Sequence, residues 1–203
     1  QPAVTRFVKS LGYERYQDFR SALVSFLARS SNDEIKSGRR RYFSDLAALL
    51  NETEDILSAE MMQELACYVL SFDRIFVTGL GKSRLPAKLL SIYVRKLGIV
   101  ATETDLIGAK DYSELMTEKD LMIIFSVNGQ PEVFRSVTKG DGSLMIVTAA
   151  YKDKELRAND RLIKLPYLSK NAEESSVSPI LFSVFVELLV EYMTIVTSSS
   201  DPS

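Results

Sequence analysis

Two short turns carry the residues best suited to chemistry on a small ligand. In the first, the β-rich run Ile75-Phe76-Val77-Thr78 ends in Gly79-Leu80-Gly81-Lys82-Ser83, and a long helical pattern follows. A helix that starts at the end of a strand presents free backbone amides and the positive end of its dipole, and both attract an anion. Glycines at 79 and 81 let the backbone come close to a ligand. Ser83 adds a hydroxyl that can donate to a phosphate oxygen. Two nucleotide motifs share parts of this pattern, and one residue excludes each. A P-loop ending in Gly81-Lys82-Ser83 needs glycine at position 76, which is Phe76. A dinucleotide fingerprint begun by Gly79 and Gly81 needs glycine at position 84, which is Arg84.

The second turn follows the apolar run Asp120-Leu121-Met122-Ile123-Ile124-Phe125. It reads Ser126-Val127-Asn128-Gly129-Gln130-Pro131, with Val133 and Val137 at helical spacing behind it. Proline belongs in the first turn of a helix. In an open parallel sheet, ligands bind at the carboxyl ends of the strands, so two such turns on neighbouring strands make one pocket. The expected anion site is therefore Gly81, Ser83, Ser126, Asn128, Gly129 and Gln130, with Lys82 free to point elsewhere. No catalytic or metal-binding set emerges. The chain has no histidine, which removes the commonest general base and the commonest metal ligand, and no cofactor is expected.

The elements that position these turns follow from the apolar pattern. Strands are expected near 74–79, 99–103, 120–125, 144–148 and 162–165. Helices fall between them, near 84–97, 108–116, 131–138 and 153–157. Strands alternating with helices give a parallel sheet covered on both faces, an α/β three-layer sandwich. Leu90, Val94 and Leu97 form the inner stripe of the helix after Ser83, Pro86 is tolerated in its first turn, and Gly98 ends it. Ser58 is placed to cap a helix over about 59–70, without a capping box, because Met61 stands where the glutamate would be. Ser178 and Pro179 open a last helix to about Ile195 that is apolar nearly all round, which implies burial on several sides, a dimer interface among them.

Upstream, Val4, Phe7, Val8 and Leu11 make a helical stripe ended by Gly12. Tyr16, Phe19, Leu23 and Phe26 make the next, and both stripes read as packing faces. Ser30-Ser31-Asn32-Asp33-Glu34 breaks the pattern, and Lys36-Ser37-Gly38-Arg39-Arg40-Arg41 reads as a solvated hinge. Phe43, Leu46, Leu49 and Leu50 resume a helix. The tail 198–203 is expected to be disordered. This divides the chain into an N-terminal helical segment (1–29), a linker (30–41), an α/β domain (42–197) and the tail.

Composition bounds the function. The chain has 203 residues, 46% hydrophobic, enough for one α/β domain and a small appendage. No apolar run is expected to approach the length of a membrane span and no signal-peptide pattern is visible, so no membrane partner is expected. Cys67, the only cysteine, lies among Leu65, Ala66 and Val69 and reads as buried in a helix; no internal disulfide is possible, which suits a reducing cytoplasm. The net charge of −2 hides an asymmetry. Residues 1–41 hold nine Lys/Arg against four Asp/Glu, a net +5, which leaves −7 for residues 42–203. A basic head on an acidic body points toward nucleic acid, unless it is simply a solvated linker.

The two turns, Val77 to Ser83 and Phe125 to Gly129, resemble the signature turns of the SIS (sugar isomerase) domain. The resemblance extends through Leu144-Met145-Ile146-Val147-Thr148 and Ala158-Asn159-Asp160-Arg161-Leu162, about the last three quarters of the chain. It implies a flavodoxin-like five-stranded parallel sheet and a phosphosugar ligand. The first turn follows the family pattern. The second departs from it at Asn128, where the family usually has serine, and at Pro131, where it has threonine or serine. Asn128 can donate through its amide, whereas Pro131 has no donor. The run Ala3-Val4-Thr5-Arg6-Phe7-Val8-Lys9-Ser10-Leu11-Gly12-Tyr13 resembles the end of an RpiR-type helix-turn-helix, which in that family precedes a SIS domain. The recognition helix would open near Gln1-Pro2, with the bracing helices outside this chain. On that resemblance Thr5, Arg6 and Lys9 are the expected DNA contacts, and Arg6 the foremost.

Three functions are compatible with these features. The first is a cytoplasmic regulator that binds operator DNA, senses a sugar phosphate or related anion, and works as a homodimer or homotetramer. The second is an aldose–ketose isomerase, for which Glu173 or Glu174 would have to be the base. The third is a degenerate SIS domain used only for oligomerisation, to which Asn128 and Pro131 lend weight.

Overall fold

In the computed structural model, the apolar runs become five parallel strands and the helical patterns between them become the layers on either face. The structure describes residues 16–129, 131–137, 140–150, 156–167 and 179–200. In chain order the elements are α1 (Tyr16–Ile56), α2 (Ala59–Leu70), β1 (Arg74–Gly79), a 3₁₀ turn (Gly81–Ser83), α3 (Arg84–Lys96), β2 (Val100–Thr104), α4 (Leu106–Leu115), β3 (Asp120–Ser126), α5 (Pro131–Ser136), β4 (Ser143–Thr148), β5 (Arg161–Lys164) and α6 (Ile180–Ser200). The chain divides into two units, residues 1–48 and 49–203. The first consists, where described, of α1 from Tyr16 to Ala48, with an exposed Arg41–Asp45 pair one helical turn apart and a Tyr42–Phe43 edge contact.

The sheet order is β2-β1-β3-β4-β5, all parallel. That is the doubly wound order in which the winding reverses between β1 and β3. β3 lies at the centre and is buried along its whole length. Parallel strands covered on both faces need continuous apolar sequence, which is why these runs were readable. Alternation then sorts their side chains. Ile75, Val77, Leu121, Ile123, Phe125, Met145 and Val147 share a core with Leu65 and Val69 of α2, Leu90 and Val94 of α3, and Phe182, Phe185 and Leu189 of α6. Phe76, Met122, Ile124, Leu144 and Ile146 pack on the other face with Ala109 of α4 and Phe134 of α5. The Ser58 hydroxyl accepts from the Met61 amide and caps α2 as expected.

Four expectations are corrected. The backbone at 30–41 is helical inside α1 instead of a break, because the propensity penalties of Ser, Asn, Asp and Gly are each only about 1 kcal/mol or less and do not by themselves stop a helix. Cys67 is exposed, since the buried stripe of α2 is Met62, Leu65, Ala66 and Val69 and Cys67 projects beside it. α6 continues through Ser200, so 198–200 are helical. Ile180–Ser199 is also long and apolar enough to cross a membrane by composition, with mean hydropathy 1.9. Its Phe182, Phe185, Val186, Leu189 and Met193 are instead buried against the sheet and the neighbouring helices. The stripe at Val4–Leu11, its Gly12 cap and most of the helix expected at 153–157 lie outside the described residues.

The amino ends of the strands are fixed by carboxylates. Asp120, the first residue of β3, receives Arg74 Nε and Nη2, each at 2.6 Å, together with the Thr117 amide at 2.7 Å and hydroxyl at 2.9 Å. Asp160, just before β5, accepts from the Leu144 amide of β4 at 2.9 Å and from Arg157. Burial pushes the Asp120 pKa up, but the Arg74 and Thr117 hydrogen bonds and the Arg74 charge outweigh it, so the pKa lies below the usual aspartate value. A carboxylate depressed on folding contributes stability above its unfolded pKa of about 3.9, and this is lost as pH falls through the lower folded value. Asp120→Asn should therefore cost roughly 1–3 kcal/mol at neutral pH, between the values for exposed and buried pairs. The gap between variant and wild type should narrow below about pH 4, as read from urea midpoints across a pH series.

Candidate anion site at the carboxyl edge of the sheet

The register of β1 on β3 decides where the two turns lie. Arg74 is opposite Asp120 and Gly79 is opposite Phe125, so both strands end at the same edge. The ladder runs one step further, with the Leu80 amide donating to the Phe125 carbonyl at 3.2 Å. The Ala150 amide donates to the Val127 carbonyl at 3.0 Å, and the Leu165 amide to the Thr148 carbonyl at 2.9 Å. The turns after β1, β3 and β4 are thus joined into one rim, which includes the point between β1 and β3 where the winding reverses. Open α/β sheets place their ligands in that position.

Each turn needs its glycines for a different reason. At Gly79 a Cβ would collide with the carbonyl of Ser83, so glycine lets the 3₁₀ turn fold back against the strand end. Gly81 has φ 54° with open space around it, so only its left-handed backbone demands glycine. Gly129 has φ 55°, and a Cβ there would also meet the Ala150 carbonyl oxygen. Thr148 holds that neighbour in place: its hydroxyl lies 3.3 Å from the Ala150 amide and 3.2 Å from the Ala150 carbonyl.

The expected site residues are distributed as follows. Ser83 precedes α3 and is buried, and Ser126 ends β3 and is buried. Neither hydroxyl makes a hydrogen bond among the described residues. Gly81 and Asn128 are exposed on their turns, and Gly129 is buried under Ala150. Gln130 lies outside the described residues, as do Thr5, Arg6, Lys9, Glu173 and Glu174. α5 starts at Pro131.

Three residues at this edge were not among the expected ones. Thr78, next to last in β1, is buried, and its hydroxyl has no partner among the described residues. Arg84 begins α3 and pairs with Glu103 of β2, with Nη2 at 2.9 Å and Nε at 3.3 Å from the same oxygen, Oε1. The Glu103 hydrogen bond and charge hold the Arg84 pKa above its ordinary value, with a smaller contribution from Asp105. A threonine one residue before the glycine turn was a visible signal. The Glu103 pairing was not, because it depends on how β2 registers against β1. The cavities elsewhere have other characters. A groove of about 820 Å³ runs between α2 and β5, where the Tyr68 hydroxyl donates to the Asn159 carbonyl and Arg161 lies over the Tyr68 ring. A smaller one of about 230 Å³ lies beside Arg74, Phe76 and Tyr112, toward the amino ends of β1 and β2.

No protein-family model matches the chain. In sequence it is 20% identical over 172 residues to an uncharacterised HTH-type transcriptional regulator of Clostridium perfringens, covering 77% of this chain. The chain spans 62% of that relative's length. In structure it is similar to the sugar isomerase domain of an RpiR transcription factor from Sphaerobacter thermophilus, with TM-score 0.65, 19% identity, and 79% and 92% of the two chains covered. It matches Vibrio vulnificus NanR complexed with ManNAc-6P at TM-score 0.65 and 18% identity, over 97% of this chain and 75% of that one. The C-terminal domain of glucosamine-fructose-6-phosphate aminotransferase from Francisella tularensis follows at TM-score 0.62 and 16% identity, over 78% of this chain and 44% of that one. At these identities the structural likeness is one of fold, and the fold is that of the SIS domain. Both kinds of likeness agree with the resemblance read from the two turns.

The two left-handed glycines separate backbone strain from collision. Gly81→Ala should cost about 1 kcal/mol, the price of a left-handed alanine. Gly129→Ala adds a steric clash with Ala150 and should cost clearly more, about 2 kcal/mol or above. Denaturant unfolding of the two variants side by side measures the difference.

Proposed function

We infer that this chain is the effector-binding part of an RpiR-type transcriptional regulator, and that the carboxyl-edge rim binds a sugar phosphate or a related anion. One observation carries the reading: Ser83 and Ser126, buried residues whose hydroxyls make no hydrogen bond among the described residues, stand with the buried, unpaired Thr78 hydroxyl at the ends of paired strands beside the sheet's reversal point. The Ser83 hydroxyl and the free amides at the start of α3 would meet the phosphate. Ser126 and the Asn128 amide group would approach from the second turn, with Gly81, Gly129 and Gln130 contributing backbone. Residues 1–29 are assigned to the helix-turn-helix, with Thr5, Arg6 and Lys9 facing operator DNA together with helices that lie ahead of Gln1 in such a domain. Residues 42–197 are assigned to the SIS domain. Ligand would act by binding DNA-competent and DNA-incompetent arrangements of a homodimer or homotetramer with different affinity. A cytoplasmic location fits a DNA-binding partner.

We assign no turnover to the chain. The sequence has no histidine, and Pro131 has no hydroxyl to hold a phosphate. Fold relatives include an enzyme domain, so isomerisation is the alternative to exclude; aldose and ketose phosphates incubated with the protein should not interconvert. The sensor reading predicts that a panel of sugar phosphates contains at least one that raises the melting temperature, because a ligand bound only to the native state must stabilise it. Ser83→Ala should lower the affinity for that ligand about tenfold or more, the usual effect of one hydrogen bond to a charged group. A panel without any shift would favour the purely oligomerising role instead.

A further inference from the structure

At the ends of the sheet the described residues form three arginine–carboxylate pairs, and they differ in a way that follows the sheet. Arg74–Asp120 and Arg157–Asp160 lie at the amino ends of the strands, and both carboxylates are buried to about 1% side-chain exposure. Asp120 also accepts from the Thr117 amide and hydroxyl, and Asp160 from the Leu144 and Arg157 amides, so the geometry of each is over-determined. Arg84–Glu103 lies at the opposite, carboxyl edge, with side-chain exposures of 51% and 24%. Both arginine contacts there fall on one oxygen, Oε1, and Oε2 takes no hydrogen bond from the described residues. The planar guanidinium fork is made for two acceptor oxygens, so this pairing uses it incompletely.

The surroundings of Arg84 increase the mismatch. It is the first residue of α3, at the positive end of the helix dipole, and the first turn of α3 contains no acidic residue. Lys82 stands exposed two residues earlier. Ser83, buried between them, belongs to the proposed anion site. A half-exposed cation in an electropositive setting, next to an anion site and held by one oxygen of a partly exposed carboxylate, is poised to change partner.

We propose that Arg84 is an exchangeable clamp: Glu103 holds it in the free protein, and the anionic group of the ligand takes it over. This rests on the anion-site reading above. Glu103 is then an internal competitor that sets affinity. A dianionic phosphate offers two oxygens to the fork and outcompetes the single glutamate oxygen, while a weak monoanion does not. The released Glu103 carboxylate is partly exposed and can be solvated or can accept from a ligand hydroxyl. Arg84 and Glu103 thereby become specificity-determining residues for ligands with two acidic oxygens.

The test uses inorganic phosphate and glucosamine 6-phosphate as probes, with affinities from calorimetry on the whole chain. Glu103→Gln should bind both probes about tenfold more tightly than wild type, and Arg84→Gln about tenfold more weakly. The double variant should match Arg84→Gln, because Glu103 acts only through Arg84. Ligand-free melting temperatures should change little, since a half-exposed pair contributes little to stability. If Ser83→Ala weakens binding but Glu103→Gln leaves it unchanged or weaker, the exchange is wrong and the anion site stands. If neither wild type nor Glu103→Gln binds either probe, or if binding ignores Ser83→Ala, the site reading falls and the exchange falls with it.

Discussion

The structure depends on the parallel pairing of β1 with β3. Six register pairs, from Arg74 opposite Asp120 to Gly79 opposite Phe125, bring two segments almost fifty residues apart to a common edge. A register slip would turn Val77 and Ile123 away from the core they share and would also separate the two turns. The apolar core and the rim geometry are therefore specified together. The Leu80–Phe125 hydrogen bond is where the ladder passes from sheet into turn, and it ties the start of the 3₁₀ turn to the central strand.

The two ends of the sheet are built on different principles. At the amino ends, polar groups are fully engaged: Asp120 and Asp160 each gather amides and an arginine, with little freedom left. At the carboxyl end, polar groups are under-used. Among the described residues, Thr78 has no partner, the Ser83 and Ser126 hydroxyls make no hydrogen bond, and Glu103 engages one oxygen of two. A buried polar group without a partner is costly, and among the described residues the Thr78 hydroxyl is the one such side-chain group; it lies at this end, near the Ser83 and Ser126 hydroxyls. A bound anion is the simplest occupant that would complete them, and this is the physical content of the sensor reading.

The sheet was legible in the sequence to within a residue or two, for a plain reason. Strands buried on both faces must be apolar throughout, and glycine or proline marks where β1, β3 and β5 stop. The Ser58 cap was legible because capping is local. Cys67 was misjudged because apolar neighbours in sequence are not neighbours on a helix face. The helix through 30–41 was misjudged because weak propensities were treated as a break. At the candidate site, the glycine turns could be read because backbone demands leave residue signatures. The Arg84–Glu103 pair could not, since it joins α3 to an edge strand and leaves no mark in either local sequence.

α6 follows all five strands in the chain, yet Phe182 and Phe185 pack against Phe125 of the central strand. During synthesis, the part of this face that α2 and α3 do not cover, Phe125 included, must therefore wait until this helix has left the ribosome. Domains tend to fold as units as they emerge, and exposed strands are prone to aggregate in the interval. The extreme apolarity of α6 carries the same risk on its own side, since a helix of this hydropathy has no good aqueous state before it docks. Expression of the protein is thus more sensitive to chaperone supply, and to any premature stop within α6, than the modest size of the chain suggests.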